Sequence, residues 1–524
     1  MVADMSPSKL GPGIDDSGES EAYLSRPVSK WDVLVVLALL SLSTLATLAV
    51  GDKTYDDAFI SFRYASNLAS GEGFVYNPGE RFLGTTTPLL TMALALCGRM
   101  LPGSAIPQVG QWLSGAALFF CGLFVYLLGR DDGIPLAGSV AALLTLTHPL
   151  FLEVWGGEAL LLLAAVLAGF FFYFRERQVL CGVVLGLAFL TRGEGVLAAL
   201  VLFTHFVIVK KKFPWRAALA WGTIVVPWVA FSIAYFGSPL PGTLQAKLAQ
   251  MDSGYFAPCL ATSLRWLLAY AIPNPYLPVS ASYTNLVVFM FAAVGGLYLF
   301  IHPRFRWWGI MTWLASYVAG YSLLGVPFYH WYAAPLALGG SILAGLGAQL
   351  VFDLKAKSSR PLGRRIGVTA RVLFVLTLAL PVARGLILLR DYYHRPISPA
   401  QRLYTNAGLW LHEHTPPTAT VGYFEIGFVG YHSQRPLVDA VGLINRGVSE
   451  RVAEGNFKWA YLHYRPDYLI INPVRWYDRI GNIRDETWFG DAYRQVTTIE
   501  EPGYFDAPLT IYEKVNDTAI PDAR

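Results

Sequence analysis

Asp56 and Asp57 are the side chains of this sequence best placed to do chemistry. They stand in the string Thr54-Tyr55-Asp56-Asp57-Ala58-Phe59-Ile60-Ser61-Phe62-Arg63-Tyr64-Ala65, just past an apolar run that ends at Val50. A carboxylate there is held at lipid-headgroup depth. It can take a proton from an attacking hydroxyl while a nearby cation steadies a departing phosphate. Ala58, Phe59, Phe62 and Ala65 share one helical face, which predicts a helix lying on the membrane, with Arg63 and Tyr64 close to the carboxylates and to lipid phosphate. The pair would equally serve as the N-cap of that helix, because Asp suits its positive end. Position alone does not separate the two readings.

Other ionisable groups stand beside apolar segments, where burying them unpaired is costly. Glu153 and Glu158 flank Trp155-Gly156-Gly157 in HPLFLEVWGGEALL; Glu153 reads as an interfacial anchor and Glu158 as the functional candidate. Lys247 follows the turn Ser238-Pro239-Leu240-Pro241-Gly242-Thr243 and either binds phosphate as a point charge or snorkels to the interface. Arg192 and Glu194, in LTRGEG, pair with each other or offer Arg192 to a substrate. His330, Trp331 and Tyr332 read as an aromatic interface belt. Asp131 and Asp132 read as a solvated loop. Neither GxxxxGK[ST] nor a GxGxxG after a strand is present, which removes the usual soluble nucleotide-binding routes. Cys97, Cys121, Cys181 and Cys259 have no CxxC spacing, so neither a disulfide framework nor a zinc site is expected.

The elements that must position these groups are set by composition. The 524 residues are 54% apolar and 15% charged, against about 25% charged in a soluble domain. Residues 33–390 are dominated by apolar stretches near the roughly 20 residues that cross a bilayer. The first is Trp31 to Val50; the others are 108–129, 134–150, 158–174, 179–191, 194–209, 216–236, 284–301, 307–325, 330–351 and 368–389, eleven in all. Loops rich in Lys and Arg stay in the cytoplasm. Arg130, Arg175 and Arg177, Lys210 to Lys212, Arg304 and Arg306, and the run from Lys355 to Arg365 all fall on one side if Pro88 to Leu101 does not cross. That stretch is therefore read as a surface or re-entrant helix. Residues 1–30 are polar, lack the basic start and cleavage site of a secretory signal, and are expected to be a disordered cytoplasmic tail. The outer side then holds the 51–107 and 237–284 loops and everything beyond residue 390. The net charge of +4, in short clusters between apolar segments, marks topology rather than nucleic-acid binding.

The string DDAFISFRYASNLASGEGFVYNPGE, followed by GTTTPLL, resembles the first extracytoplasmic loop of the GT-C glycosyltransferases. It is most similar to bacterial enzymes like the cell-wall arabinofuranosyltransferases and to the protein-mannosyltransferase-like group. The resemblance implies a polyprenyl-phosphate sugar donor, an inverting transfer, and a first-loop acid that acts as base or holds a divalent cation (Mg or Mn). Carried onto this sequence, those roles fall on Asp56 and Asp57, with Asp57 favoured as base. Glu158 assists and with Asp57 is the expected metal pair, while Arg63, Tyr64, Lys247 and Arg192 bind substrate.

From about Gln401 the pattern changes. Leu403, Ala407, Trp410 and Leu411 share a helical face, and Val421 to Phe424, Tyr468 to Ile471 and Thr510 to Val515 read as strands, so residues 391–524 are expected to form a soluble α/β domain. Glu425 follows the first strand, where α/β folds often put ligand residues, but reads first as a fold turn. His412 and His414, two apart on a helix, cannot face one metal. The expected protein is an α-helical polytopic membrane protein of the plasma (inner) membrane, GT-C-like over 31–390, with its N-terminus cytoplasmic and its C-terminal domain extracytoplasmic. It is expected to move a sugar from a polyprenyl-phosphate donor to a glycan, lipid or protein acceptor of the cell envelope, among membrane lipid and without nucleic acid. The rival readings are a transporter or lipid flippase and a noncatalytic envelope-assembly subunit; no internal repeat favours the transporter.

Overall fold

The computed structural model describes residues 27–101, 105–258, 279–353, 361–504 and 507–523. The expectations for the tail before residue 27, for Cys259, for the middle of the 237–284 loop and for the basic residues 355–360 lie outside these residues. The first described helix, α1 (Lys30–Val50), opens with a capping box in which Ser29 Oγ accepts from the Asp32 N–H and the Asp32 carboxylate accepts from the Ser29 N–H. After it come α2 (Asp56–Ser70), α3 (Pro88–Met100), α4 (Ile106–Asp131), α5 (Pro135–Leu146), α6 (Leu150–Glu153), α7 (Ala159–Phe174), α8 (Gln178–Thr191), α9 (Val196–Lys210), α10 (Trp215–Phe236), α11 (Gly242–Asp252), α12 (Val279–Ile301), α13 (Phe305–Leu324), α14 (Ala334–Asp353) and α15 (Pro361–His394).

Among the described residues, five helices are long and apolar enough to cross a membrane: α1, α4, α9 and α14 with their preceding turns, and α10. Five apolar helices of 10–17 residues, including α3, α5, α7 and α8, pack with them. The chain is a multi-pass membrane protein, although the eleven crossings read from the sequence are not established by this set. With 13 residues, α3 reaches only about 20 Å. That falls short of the roughly 30 Å hydrocarbon core, as do the 12 residues of α5 and the 14 of α8, which the sequence reads as crossing.

The bundle has two polar ends. At one, Arg130 pairs with Asp32 at 2.9 Å, Arg175 with Asp131 at 3.0 Å, and Arg304 with Asp132 at 2.8 Å. Asp132 also accepts from Trp307 Nε1 at 2.8 Å. The loop of Asp131 and Asp132 is thus not simply solvated. Its carboxylates are partnered because the C-terminal turn of α4 is packed against arginines of the α7 and α13 ends. At the other end lie α2, the 153–158 turn, the 192–194 turn, α11, the 328–332 turn and the C-terminal region.

That region contains α16 (Pro399–His414), β1 (Val421–Gly422), α17 (Gly427–Ser433), β2 (Leu437–Val438), α18 (Val448–Ala453), α19 (Trp459–Tyr464), β3 (Tyr468–Ile471), α20 (Phe489–Ala492), β4 (Tyr493–Ile499) and β5 (Leu509–Lys514). The sheet runs β2-β1-β3-β5-β4, with β1 parallel to β2 and β3, and β5 antiparallel to β3 and β4. Its apolar core is continuous with α2 and α3, whereas the helical bundle has a second core of its own. The apolar face of α2 therefore does not lie on lipid. Ala58 to Ala65 are buried, and Phe59 packs against Phe428 at 4.5 Å and Tyr431 at 5.1 Å. Covering this face with protein removes the same apolar area from water that lipid would.

Candidate active site

The start of α2 is held from two directions. Thr54 Oγ1 donates to the Trp155 carbonyl at 2.8 Å, tying it to the bundle. Gln401 Nε2 donates to the Asp52 carbonyl at 2.8 Å and Gln401 Oε1 accepts from the Thr54 N–H at 3.3 Å, tying it to the C-terminal domain. On this anchored turn the two adjacent carboxylates diverge. Both oxygens of Asp56 are taken, one by the Gly427 N–H and one by the Phe428 N–H, each at 2.8 Å. Asp56 is a helix cap, as its type suggested, but it caps α17 rather than its own helix. Gly427 is required there, because a Cβ would strike the Asp56 carbonyl and carboxylate. Burial, with Glu425 nearby, pushes the Asp56 acid up, while the Phe428 and Gly427 N–H groups pull it back.

Asp57 lies where two cavities meet. The smaller, of about 60 Å³, is bounded by Glu158, Arg192 and Lys247. The larger, of about 480 Å³, is bounded by Glu425, Arg475 and Trp476. Both are lined by Asp57, Lys247, Tyr55, Trp331 and Leu443. Among the described residues no group donates a hydrogen bond to the Asp57 carboxylate. Loss of water raises its acid above the ordinary value; Lys247 draws it down and Glu158 pushes it up.

Lys247 Nζ donates to Tyr332 Oη at 2.7 Å and stands over the rings of Tyr329, Trp331 and Tyr332 at 4.9, 5.7 and 5.2 Å. It forms no ion pair among the described residues, so the aromatic faces carry this cation without neutralising it. Arg192 is different: it is ion-paired with Glu158 and Glu194 and donates to Tyr321 Oη at 2.9 Å. Glu158 thus reaches the smaller cavity as half of an ion pair, whereas Glu153 is exposed.

Arg63 and Tyr64 line neither cavity. Both are buried. Arg63 Nε donates to the Tyr76 carbonyl at 3.4 Å, and Tyr64 Oη donates to the Phe82 carbonyl and accepts from the Gly84 N–H, both at 2.8 Å. They stand seven positions beyond Asp56 and Asp57, on the same helix faces but about 10 Å further along the axis. There the 76–84 segment covers them. The expected closeness to the two carboxylates is corrected by that distance.

Several lining residues were not read as functional in the sequence. His330 and Trp331, expected as an interface belt, line the larger cavity, and Trp331 stacks on Tyr55 at 5.7 Å. Glu425, read first as a fold turn, pairs with Arg475 at 2.6 Å on the cavity wall. Its place after β1 was a usable signal; Arg475 had none, being one arginine among many in a loop. His412 and His414 face neither cavity.

The donor set fits a divalent cation poorly. Mg²⁺ wants six oxygens; Asp57 and Glu158 offer two carboxylates to the smaller cavity, Glu158 already has Arg192, and Lys247 occupies the same space. Among the described residues no group of three or more His, Cys, Asp or Glu is disposed to hold a metal.

A family described as a domain of unknown function (DUF8728) matches residues 392–513. Among curated proteins none matches the chain. Solved structures do. ArnT from Cupriavidus metallidurans bound to undecaprenyl phosphate matches with a TM-score of 0.57 at 13% identity, over 95% of this chain and 100% of that one. The archaeal oligosaccharyltransferase AglB from Archaeoglobus fulgidus, in complex with an inhibitory peptide and a dolichol-phosphate, matches with a TM-score of 0.55 at 12% identity, over 84% of this chain and 70% of that one. Identity this low speaks for the fold alone. The chain has the fold of the GT-C glycosyltransferases that its DDAFISFRYA loop resembles.

Proposed function

We propose that this protein is an integral-membrane glycosyltransferase that moves a sugar from a polyprenyl-phosphate donor to a hydroxyl of a cell-envelope acceptor on the outer face of the membrane. The observation that carries the reading is Asp57, a carboxylate that has no hydrogen-bond donor among the described residues and lies between two cavities, opposite a cation that has no counter-ion among them. Like-folded ArnT and AglB were solved with undecaprenyl phosphate and dolichol-phosphate, which supports a lipid-phosphate donor.

In this reaction Asp57 accepts the proton of the acceptor hydroxyl as its oxygen attacks the anomeric carbon. The bond from that carbon to the donor phosphate breaks on the far side, so the configuration inverts. Lys247, with Arg192 behind it, holds the phosphate and meets the charge that grows as it leaves. Asp57 ends protonated and the polyprenyl phosphate departs. Glu158 keeps Arg192 oriented, and no step is routed through a metal. Asp56 positions α17 and so the wall of the site, without touching the reacting atoms.

The test uses the purified full-length protein with a panel of labelled lipid-phosphate sugars and envelope acceptors. Replacing Asp57 by Asn should lower transfer at least about 100-fold, the usual contribution of a positioned base, with the melting temperature retained. Wild-type transfer by that variant would overturn the assignment.

A further inference from the structure

We infer that the C-terminal wall of the larger cavity, built by Phe424, Glu425, Arg475 and Trp476, is a binding subsite for a neutral saccharide acceptor. The inference rests on the transfer reaction proposed above and gives the matched domain of unknown function a task in it.

The two cavities differ in charge. The smaller has Lys247 free to meet an anion. On the wall of the larger one, Glu425 and Arg475 are opposed at 2.6 Å, so their charges cancel. Of the other ionisable groups described on its lining, Asp56 has both oxygens bonded to backbone N–H groups, His330 lies against the ring of Tyr55, and Asp57 and Lys247 stand at the junction, where the transferred proton and the donor phosphate engage them. Among the described residues that line the cavity, an anionic acceptor would find no Lys or Arg without a partner beyond Lys247, and a cationic one would compete for the carboxylate that must act as base. A neutral polyol meets neither conflict. The Glu425–Arg475 pair sets an acceptor beside a donor, which suits adjacent hydroxyls. The Arg475 side chain is 43% exposed, which leaves guanidinium N–H groups for a ligand beyond those given to Glu425 and to Tyr404 Oη at 3.2 Å.

The apolar half of the subsite is aromatic. Phe424 and Trp476 are stacked, with ring centroids 5.5 Å apart and planes inclined by 25°. Phe256 and Phe457 pack around Trp476 at 5.6 and 5.7 Å. A pyranose presents one face of C–H bonds that packs on such rings, and small-molecule sites combine that contact with a few placed polar groups. The platform is preorganised. Asn472 Oδ1 accepts from the Val474 and Arg475 N–H groups, both at 2.9 Å, which bends the chain ahead of Trp476. Trp476 itself has φ of +60°, a left-handed conformation that is costly for a bulky residue and clusters at ligand sites.

The test is saturation-transfer NMR on the full-length protein in a non-sugar detergent. The probes are the methyl gluco-, galacto- and mannopyranosides and, as charged counterparts, methyl glucuronide and methyl glucosaminide. At least one neutral glycoside should bind saturably to the wild type. Trp476→Ala should weaken that binding about 10-fold, as loss of an aromatic contact does, and Trp476→Phe should restore most of it. Arg475→Gln should weaken it similarly, read well below a melting temperature that the unpaired Glu425 lowers. Binding of charged glycosides alone, no binding of any neutral one, or unaltered binding in both Trp476→Ala and Arg475→Gln would overturn the subsite. These readouts need no turnover, so they fail or succeed separately from transfer by Asp57→Asn.

Discussion

Asp56 and Asp57 are neighbours in sequence with separate surroundings, and the surroundings assign their tasks. Asp56 accepts a backbone N–H on each oxygen, which commits it to holding the start of α17. Asp57 accepts no hydrogen bond among the described residues and keeps its lone pairs. Its raised acid has a kinetic consequence. A base must be ionised to act, so kcat/KM should fall as pH drops through the raised value, placing the acid limb above the roughly 3.9 of an ordinary Asp. The sign then follows from the neighbours. Lys247→Met removes the opposite charge that favours the ionised form, so the limb should move to higher pH. Glu158→Gln removes a like charge, so it should move to lower pH. Residual activity of each variant over about pH 4 to 8 reads this, and shifts of the opposite sign would show that another group is the base. The candidate pair was legible in the sequence because it stands just outside a membrane span. Its division of labour was not, because the groups that occupy Asp56 lie 371 and 372 positions away.

At the scale of elements, α2 joins the bundle to the C-terminal domain. Tyr76 Oη donates to the Ile426 carbonyl at 2.5 Å, and Asn77 exchanges two hydrogen bonds with Leu437, at 2.9 and 2.8 Å, as a strand neighbour would. With the Asp56 cap these bonds weld residues 52–77 to the sheet. Asp56→Asn exchanges two charge-assisted bonds for at most one good one, at about 2 kcal/mol. Gly427→Ala drives a methyl group into the same contact. Both variants should unfold earlier and release a C-terminal fragment sooner under limited proteolysis, with transfer lost in proportion to undocking. An unchanged cleavage rate in both would show that docking does not depend on this cap. Periodicity predicted α2, but an apolar face reads alike whether lipid or protein covers it. The span read at 134–150 shows a related limit: apolar content runs through it, whereas the helix stops at Leu146 and resumes at Leu150 across Pro149.

At the scale of the whole molecule, the candidate site and the basic clusters occupy opposite ends of the bundle. Arg130, Arg175, Arg304 and Arg306 lie at the end away from Asp57, among Asp32, Asp131 and Asp132. Those carboxylates neutralise much of the charge, yet orientation follows the count of Lys and Arg rather than net charge. Lys211 and Lys212 have no carboxylate partner among the described residues, and Lys210 reaches Glu176 at 3.7 Å. The basic end should therefore face the cytoplasm and the two cavities the outside, where a lipid-delivered donor replaces a nucleotide sugar. In a background with the four native cysteines replaced, Glu72→Cys on the first loop and Lys211→Cys, both at exposed positions, report the two ends. An impermeant maleimide should label the first in intact cells and the second only after permeabilisation. The reverse pattern would turn the protein over and put its site among cytoplasmic donors. Labelling of both in intact cells would break the two-ended arrangement itself, because the crossings between α2 and the end of α9 would then have the wrong parity.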